Sequence, residues 1–156
     1  MKRNKFTDTL KKIKAEDVAK LEGSLSKKLP ESFIGHYLKY NGGVPDLDWV
    51  PGSGEFEPTI VQEFYSIYAD GIPDDLKSDC LYEHYLKMVE MKVIERNLLP
   101  FAVDPGGNFY ALNLDNGSIY YCVTEGAKQV RLLFDDFSSF LSSLTEADSS
   151  TRCNTV

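Results

Sequence analysis

The segment Leu99–Val123, LPFAVDPGGNFYALNLDNGSIYYCV, limits most tightly what this chain can become. It reads as three β-strands joined by two tight turns. Pro105-Gly106 supplies the first turn, because proline presets φ near −65° and glycine tolerates the positive φ that follows. Asn116-Gly117 supplies the second, and Asn-Gly between apolar runs is the strongest short-range hairpin signal. A two-residue Asn116-Gly117 loop pairs Asp115 with Ser118, Leu114 with Ile119, Leu112 with Tyr121 and Tyr110 with Val123. Alternation then puts those last six side chains on one face. Phe109, Ala111, Asn113, Tyr120 and Cys122 occupy the other, which is also largely apolar. One face must be core. The second is either covered by a helix or left open to a partner.

With 156 residues, the chain is expected to form one domain with a substantial core, spanning residues 1–144, followed by a disordered Ser/Thr-rich tail over 145–156. No apolar run reaches the ~18 residues of a membrane span. The start, MKRNKFTDTLKK, is basic but lacks the apolar segment of a secretory signal, so a cytoplasmic protein is expected. Cys80, Cys122 and Cys153 are far apart and form no Cys-x-x-Cys pair, which argues for reduced thiols rather than a disulfide framework or zinc site.

The net charge of −7 hides an asymmetry. Residues 1–28 carry nine Lys/Arg against four Asp/Glu, whereas residues 29–156 carry eight against twenty. An acidic body repels nucleic acid and attracts a basic protein, unless the acidity serves solubility alone.

Along the chain, residues 1–14 read as a frayed start or a first short helix. Residues 15–25 form a helix, with Val18, Leu21 and Leu25 at helical spacing. A second helix opens at Leu29-Pro30-Glu31, with Pro30 at its first position. It carries the stripe Phe33, Ile34, Tyr37 and Leu38, and stops at Asn41-Gly42-Gly43. A Pro/Gly-rich loop over 44–59 holds Asp46, Asp48, Glu55 and Glu57 around the only tryptophan, Trp49. Trp49 is either an exposed binding anchor with a charged rim or a lid folded back over the sheet. Residues 60–68 read as a strand. The acidic turn region 70–79, with Asp70, Asp74 and Asp75, leads into the longest helix, whose stripe is Leu81, Tyr85, Met88, Val89 and Leu98. A further strand spans Gln129–Phe134. Asp135 caps a final amphipathic helix marked by Phe137, Phe140, Leu141 and Leu144.

Catalytic patterns are missing. His36 and His84 stand 48 positions apart in no motif, and there is no nucleophile elbow, His-Glu-x-x-His or P-loop lysine. Asp104-Pro105-Gly106-Gly107-Asn108 lacks the lysine and following helix of a phosphate cradle, so it reads as a turn. The adjacent pairs Asp74/Asp75 and Asp135/Asp136 point apart and make no acid–base couple. No catalytic residue, metal site or cofactor is expected.

Several pieces together resemble the SUKH superfamily, the immunity-protein group that also includes fungal cell-wall-synthesis regulators. They are Leu21-Glu22, Leu29-Pro30-Glu31-Ser32-Phe33, Tyr37-Leu38, Tyr40-Asn41-Gly42-Gly43, Leu99-Pro100-Phe101-Ala102, Asp104-Pro105-Gly106-Gly107-Asn108, Leu112, Leu114, Phe137, Phe140 and Leu141, in that order over residues 15–144. The resemblance implies an α+β fold in which helices pack a mainly antiparallel sheet of about five to six strands. It also implies a protein that neutralises a cognate polymorphic toxin, often a nuclease, by stoichiometric binding. The alternative is an intracellular regulatory module that binds a host protein. The expected partner is a basic toxin protein, not nucleic acid or membrane, and the expected state is a monomer or weak homodimer. Asp46, Asp48, Trp49, Glu55, Glu57, Asp70, Asp74 and Asp75 are the candidate contacts, because they are acidic loop residues around one aromatic anchor.

Overall fold

Leu98–Val103 (β6), Phe109–Asn113 (β7), Ile119–Val123 (β8) and Gln129–Phe134 (β9) form consecutive antiparallel hairpins. With Glu63–Phe64 (β5) on the far side they make a five-stranded sheet in the order β5-β6-β7-β8-β9. The computed structural model describes residues 4–52, 54–126 and 129–146. Helices Ala15–Leu25 (α1), Glu31–Lys39 (α2), Leu81–Glu90 (α3) and Phe137–Ser143 (α4) complete the α+β fold expected from the sequence. Residues 147–156, including Cys153 and most of the expected tail, lie outside the described residues.

The β7–β8 register differs from the two-residue loop. Leu112 pairs with Ile119 and Tyr110 with Tyr121. The Asn113 side chain accepts from the backbone N–H of Asp115 (2.8 Å) and of Asn116 (3.3 Å), which lengthens the turn. The pairing slips by two residues, so each side chain keeps its expected face. One face is core: Phe33, Phe101, Tyr110, Phe137 and Phe140 are fully buried. Their rings meet at 5.0 Å (Phe33–Phe137), 5.4 Å (Phe101–Phe140) and 5.5 Å (Tyr110–Phe140). Truncating any one to alanine would cost about 3–5 kcal/mol.

The strand expected over 60–68 is broken. Thr59–Ile60 (β4) pairs with Trp49–Val50 (β3), while β5 pairs with β6. The backbone N–H of Val61 still donates to the carbonyl of Asp48 (2.7 Å), in register with β3, while the N–H of Gln62 donates to the carbonyl of Val103 in β6 (2.8 Å), so the chain changes partner at 61–62. Residues 4–14 contain a strand, not a helix: Phe6–Thr7 (β1) pairs with Val44–Pro45 (β2) inside the expected loop. α3 ends at Glu90, and Lys92 takes a positive φ of 58°, so Leu98 belongs to β6 instead of the helix stripe. α1, at 11 residues, is longer than α3, at 10. Pro30 is the N-cap of α2 rather than its first residue. Asp136, not Asp135, caps α4, its carboxylate accepting from the Ser139 N–H at 2.7 Å.

Asn41 does more than end α2. Its buried amide nitrogen donates to the carbonyls of Lys11 and Ile67, both at 3.0 Å, and its oxygen accepts from the Ile67 N–H at 2.7 Å. One side chain thus joins the N-terminal segment to the chain leaving β5. Gly42 (φ 75°) and Gly43 (φ 98°) follow, and a Cβ on Gly42 would lie 2.9 Å from the Ser66 backbone. Only glycine meets both demands.

Candidate functional site

The eight candidate contacts fall into two groups. Asp46 is exposed after β2, and its N–H donates to the Lys5 carbonyl at 2.8 Å. Asp48 and Trp49 are half-buried. Trp49 is held in β3 by pairing with Ile60 and by two backbone bonds with Thr145, at 3.0 and 3.1 Å. Glu55 and Glu57 are exposed on either side of Phe56, whose ring packs on Tyr121 at 5.3 Å. Arg131 of β9 donates to the Glu55 carbonyl at 3.4 Å, so this loop sits beside β9.

Asp70, Asp74 and Asp75 are exposed on the chain that follows β5. Asp74, at the start of the 3-10 segment Asp74–Asp79, accepts from the Tyr68 hydroxyl at 2.7 Å, a bond that raises the tyrosine pKa. Lys11 Nζ donates to the Asp70 carbonyl at 3.1 Å. β5 and β9 are opposite edges of five strands, roughly 19 Å apart at the usual strand spacing. The fold therefore brings Glu55 and Glu57 to one edge and Asp70, Asp74 and Asp75 to the other.

Between β5 and α3 lies a cleft of about 460 Å³, which no sequence motif marks. Asp8, Glu63 and Asp79, from three separate segments, line it together with Tyr65, Cys80 and His84. The His84 ring stacks on Tyr65 at 4.3 Å. Burial lowers the His84 pKa and outweighs the opposing pull of Asp79, Glu63 and Glu83. Burial, then Glu83 and Asp79, pushes the Cys80 thiol up to about 11, so it is a thiol and not a nucleophilic thiolate at neutral pH. The floor is neutral and aromatic, and the rim is acidic. Such a cleft can take a cationic side chain and offers no group poised for covalent chemistry.

Among the described residues, no group of three His, Cys, Asp or Glu is placed to hold a metal ion, and no helix is long and apolar enough to cross a membrane. His36 is locked among the rings of Phe6 (4.8 Å), Phe64 (5.3 Å) and Phe137 (5.7 Å). Burial and the nearby Lys39 lower its pKa to about 4. It packs the core as a neutral ring.

The family model described as SMI1 / KNR4 family (SUKH-1) matches residues 12–143, most of the chain. The chain belongs to the SMI1 / KNR4 family. A comparison with curated proteins found no match. Membership is consistent with an immunity-protein role. The SUKH-1 match takes in all eight candidate contacts and the Glu63, Asp79 and His84 side of the cleft, but leaves out β1 and Asp8. The family-like motifs themselves are structural here. Asp104-Pro105-Gly106-Gly107-Asn108 is folded around the buried Asp104 carboxylate, which accepts from the N–H groups of Gly106 and Asn108, each at 2.9 Å.

Proposed function

We propose that this SUKH-1 protein is an immunity protein that binds a cognate polymorphic toxin and blocks it stoichiometrically, without turnover. The toxin domain is basic, as a nuclease domain is where it meets phosphate. The observation that carries this reading is the family match over residues 12–143, joined to a chain whose residues 29–156 hold twenty Asp/Glu against eight Lys/Arg. Opposite charge speeds encounter and penalises wrong partners. Exposed Glu55 and Glu57 at one edge of the sheet, Asp70, Asp74 and Asp75 at the other, and Asp46 after β2 supply that field.

The test is co-expression with any toxin-domain protein found encoded beside this gene. Rescue of growth, together with a one-to-one complex whose association slows about tenfold or more between low and high salt, supports the reading. A complex with a host protein, and no rescue from any neighbouring toxin domain, would replace it with the regulatory-module reading. Turnover of a substrate by the purified protein would remove the binding-only mechanism.

A further inference from the structure

We propose that the outer edge of β9 is the docking strand for the partner, and that it takes an extended basic segment as an added sixth strand. This rests on the binding reading above. Among the described residues, β9 pairs with β8 alone. Gln129, Val130, Arg131 and Leu132 are exposed one after another, so among the described residues this part of the strand meets little beyond the Glu55 carbonyl that Arg131 reaches. Val130 is 53% exposed and Leu132 55%, on the face they share with Cys122 and Tyr120.

Natural edge strands are shielded by proline, lysine, extreme shortness or a covering element. β9 has six residues, no proline and one charge, Arg131, which donates to the Glu55 carbonyl. Next to its second half runs a groove of about 280 Å³, walled by Val50, Pro51, Phe56, Leu133 and Phe134. Main-chain bonding along such an edge gives affinity, and flanking pockets for alternate side chains give specificity.

Charge selects the occupant. Exposed Glu55 and Glu57 stand on the loop beside the groove, and exposed Asp135 follows β9 directly. A segment that alternates apolar residues with Lys or Arg would set the apolar ones against Val130, Leu132 and the groove, and the cations against these carboxylates. A second copy of this chain would instead bring the same carboxylates together, in a protein of net charge −7.

The probe is a blocked synthetic peptide alternating lysine and valine, compared with its glutamate–valine counterpart, added to the ¹⁵N-labelled full chain. The lysine peptide is expected to slow amide exchange in Gln129–Phe134 by about tenfold or more while leaving α3 unchanged, as added-strand pairing requires. Leu132→Lys and Val130→Lys, both at exposed positions, should keep the melting temperature and abolish that protection. Protection elsewhere, equal protection by the glutamate peptide, no protection at all, or a β9-to-β9 dimer in sedimentation would each overturn the proposal. In the co-expression assay, full rescue by the two lysine variants would overturn β9 as the dock and leave the immunity reading standing. Failure of the unaltered chain to rescue would strike the immunity reading itself.

Discussion

The hydroxyl of Tyr121 on β8 donates to the carboxylate of Asp104, which begins the turn between β6 and β7. The same carboxylate accepts from the Gly106 and Asn108 N–H groups at 2.9 Å and from Thr59 of β4 at 3.4 Å. Asp104 is only 5% exposed. One buried acid therefore ties a turn, a neighbouring strand and the loop that carries Glu55 and Glu57. Its value is conformational, and it depends on every donor being present.

Asp104→Ala should cost about 2–4 kcal/mol in urea denaturation, because it orphans the buried Tyr121 hydroxyl and several part-buried donors at once. Tyr121→Phe removes one donor and leaves the others, so about 1 kcal/mol is expected. Equal losses would mean that the turn is held by its Pro-Gly backbone and not by the carboxylate.

The turn shows what was legible from sequence. Pro105-Gly106 and Asn116-Gly117 marked both reversals, although the positive φ of the first falls on Gly107 and not on Gly106, and alternation sorted Tyr110, Leu112, Ile119 and Tyr121 onto one face without telling which face is core. The β7–β8 register was not legible, because Asn113 competes for the loop amides with its own side chain. The breaks at residues 61–62 and 91–97 were also hidden. An apolar run cannot reveal that the Val61 N–H will go to the Asp48 carbonyl and the Gln62 N–H to the Val103 carbonyl. The acidic candidates were visible as composition, but not their division between two sheet edges. The cleft joining Asp8, Glu63 and Asp79 was invisible, since only the packing of β1, β5 and α3 assembles it.

Gly42 and Gly107 separate the two costs of replacing glycine. Both have positive φ, 75° and 85°. A Cβ on Gly107 meets nothing within 4 Å, while one on Gly42 meets the Ser66 backbone at 2.9 Å. Gly107→Ala should cost about 1 kcal/mol, from the left-handed backbone alone. Gly42→Ala should cost at least about 2–3 kcal/mol more, since a rigid backbone must move. Thermal denaturation of the two variants side by side reads the difference.

His36 should make the fold acid-sensitive. Its pKa falls from 6.5 to about 4 on folding, so the unfolded chain binds the proton more tightly. Stability from this group is complete above pH 6.5 and is lost as pH falls toward 4, to a limit of about 3 kcal/mol. His36→Phe, which suits the surrounding rings, should flatten the pH 4–6.5 limb of the stability curve. An unchanged limb would assign acid sensitivity to other groups.

The two acidic groups should contribute unequally to capture of the partner. Glu55 and Glu57 flank the β9 groove, whereas Asp74 is already engaged by the Tyr68 hydroxyl and lies toward the β5 edge. An exposed ion pair contributes about 0.2–1 kcal/mol, so Glu55→Gln with Glu57→Gln should weaken the toxin complex by roughly 2- to 30-fold. The loss should lie mostly in the association rate and shrink at high salt, where screening has already removed the attraction. Asp70→Asn with Asp74→Asn and Asp75→Asn should shift the affinity less than twofold if the partner lies on β9. Stopped-flow association at two salt concentrations distinguishes the cases. A larger loss from the second set would move the contact to the cleft between β5 and α3, where Glu63 and Asp79 would be the next residues to neutralise.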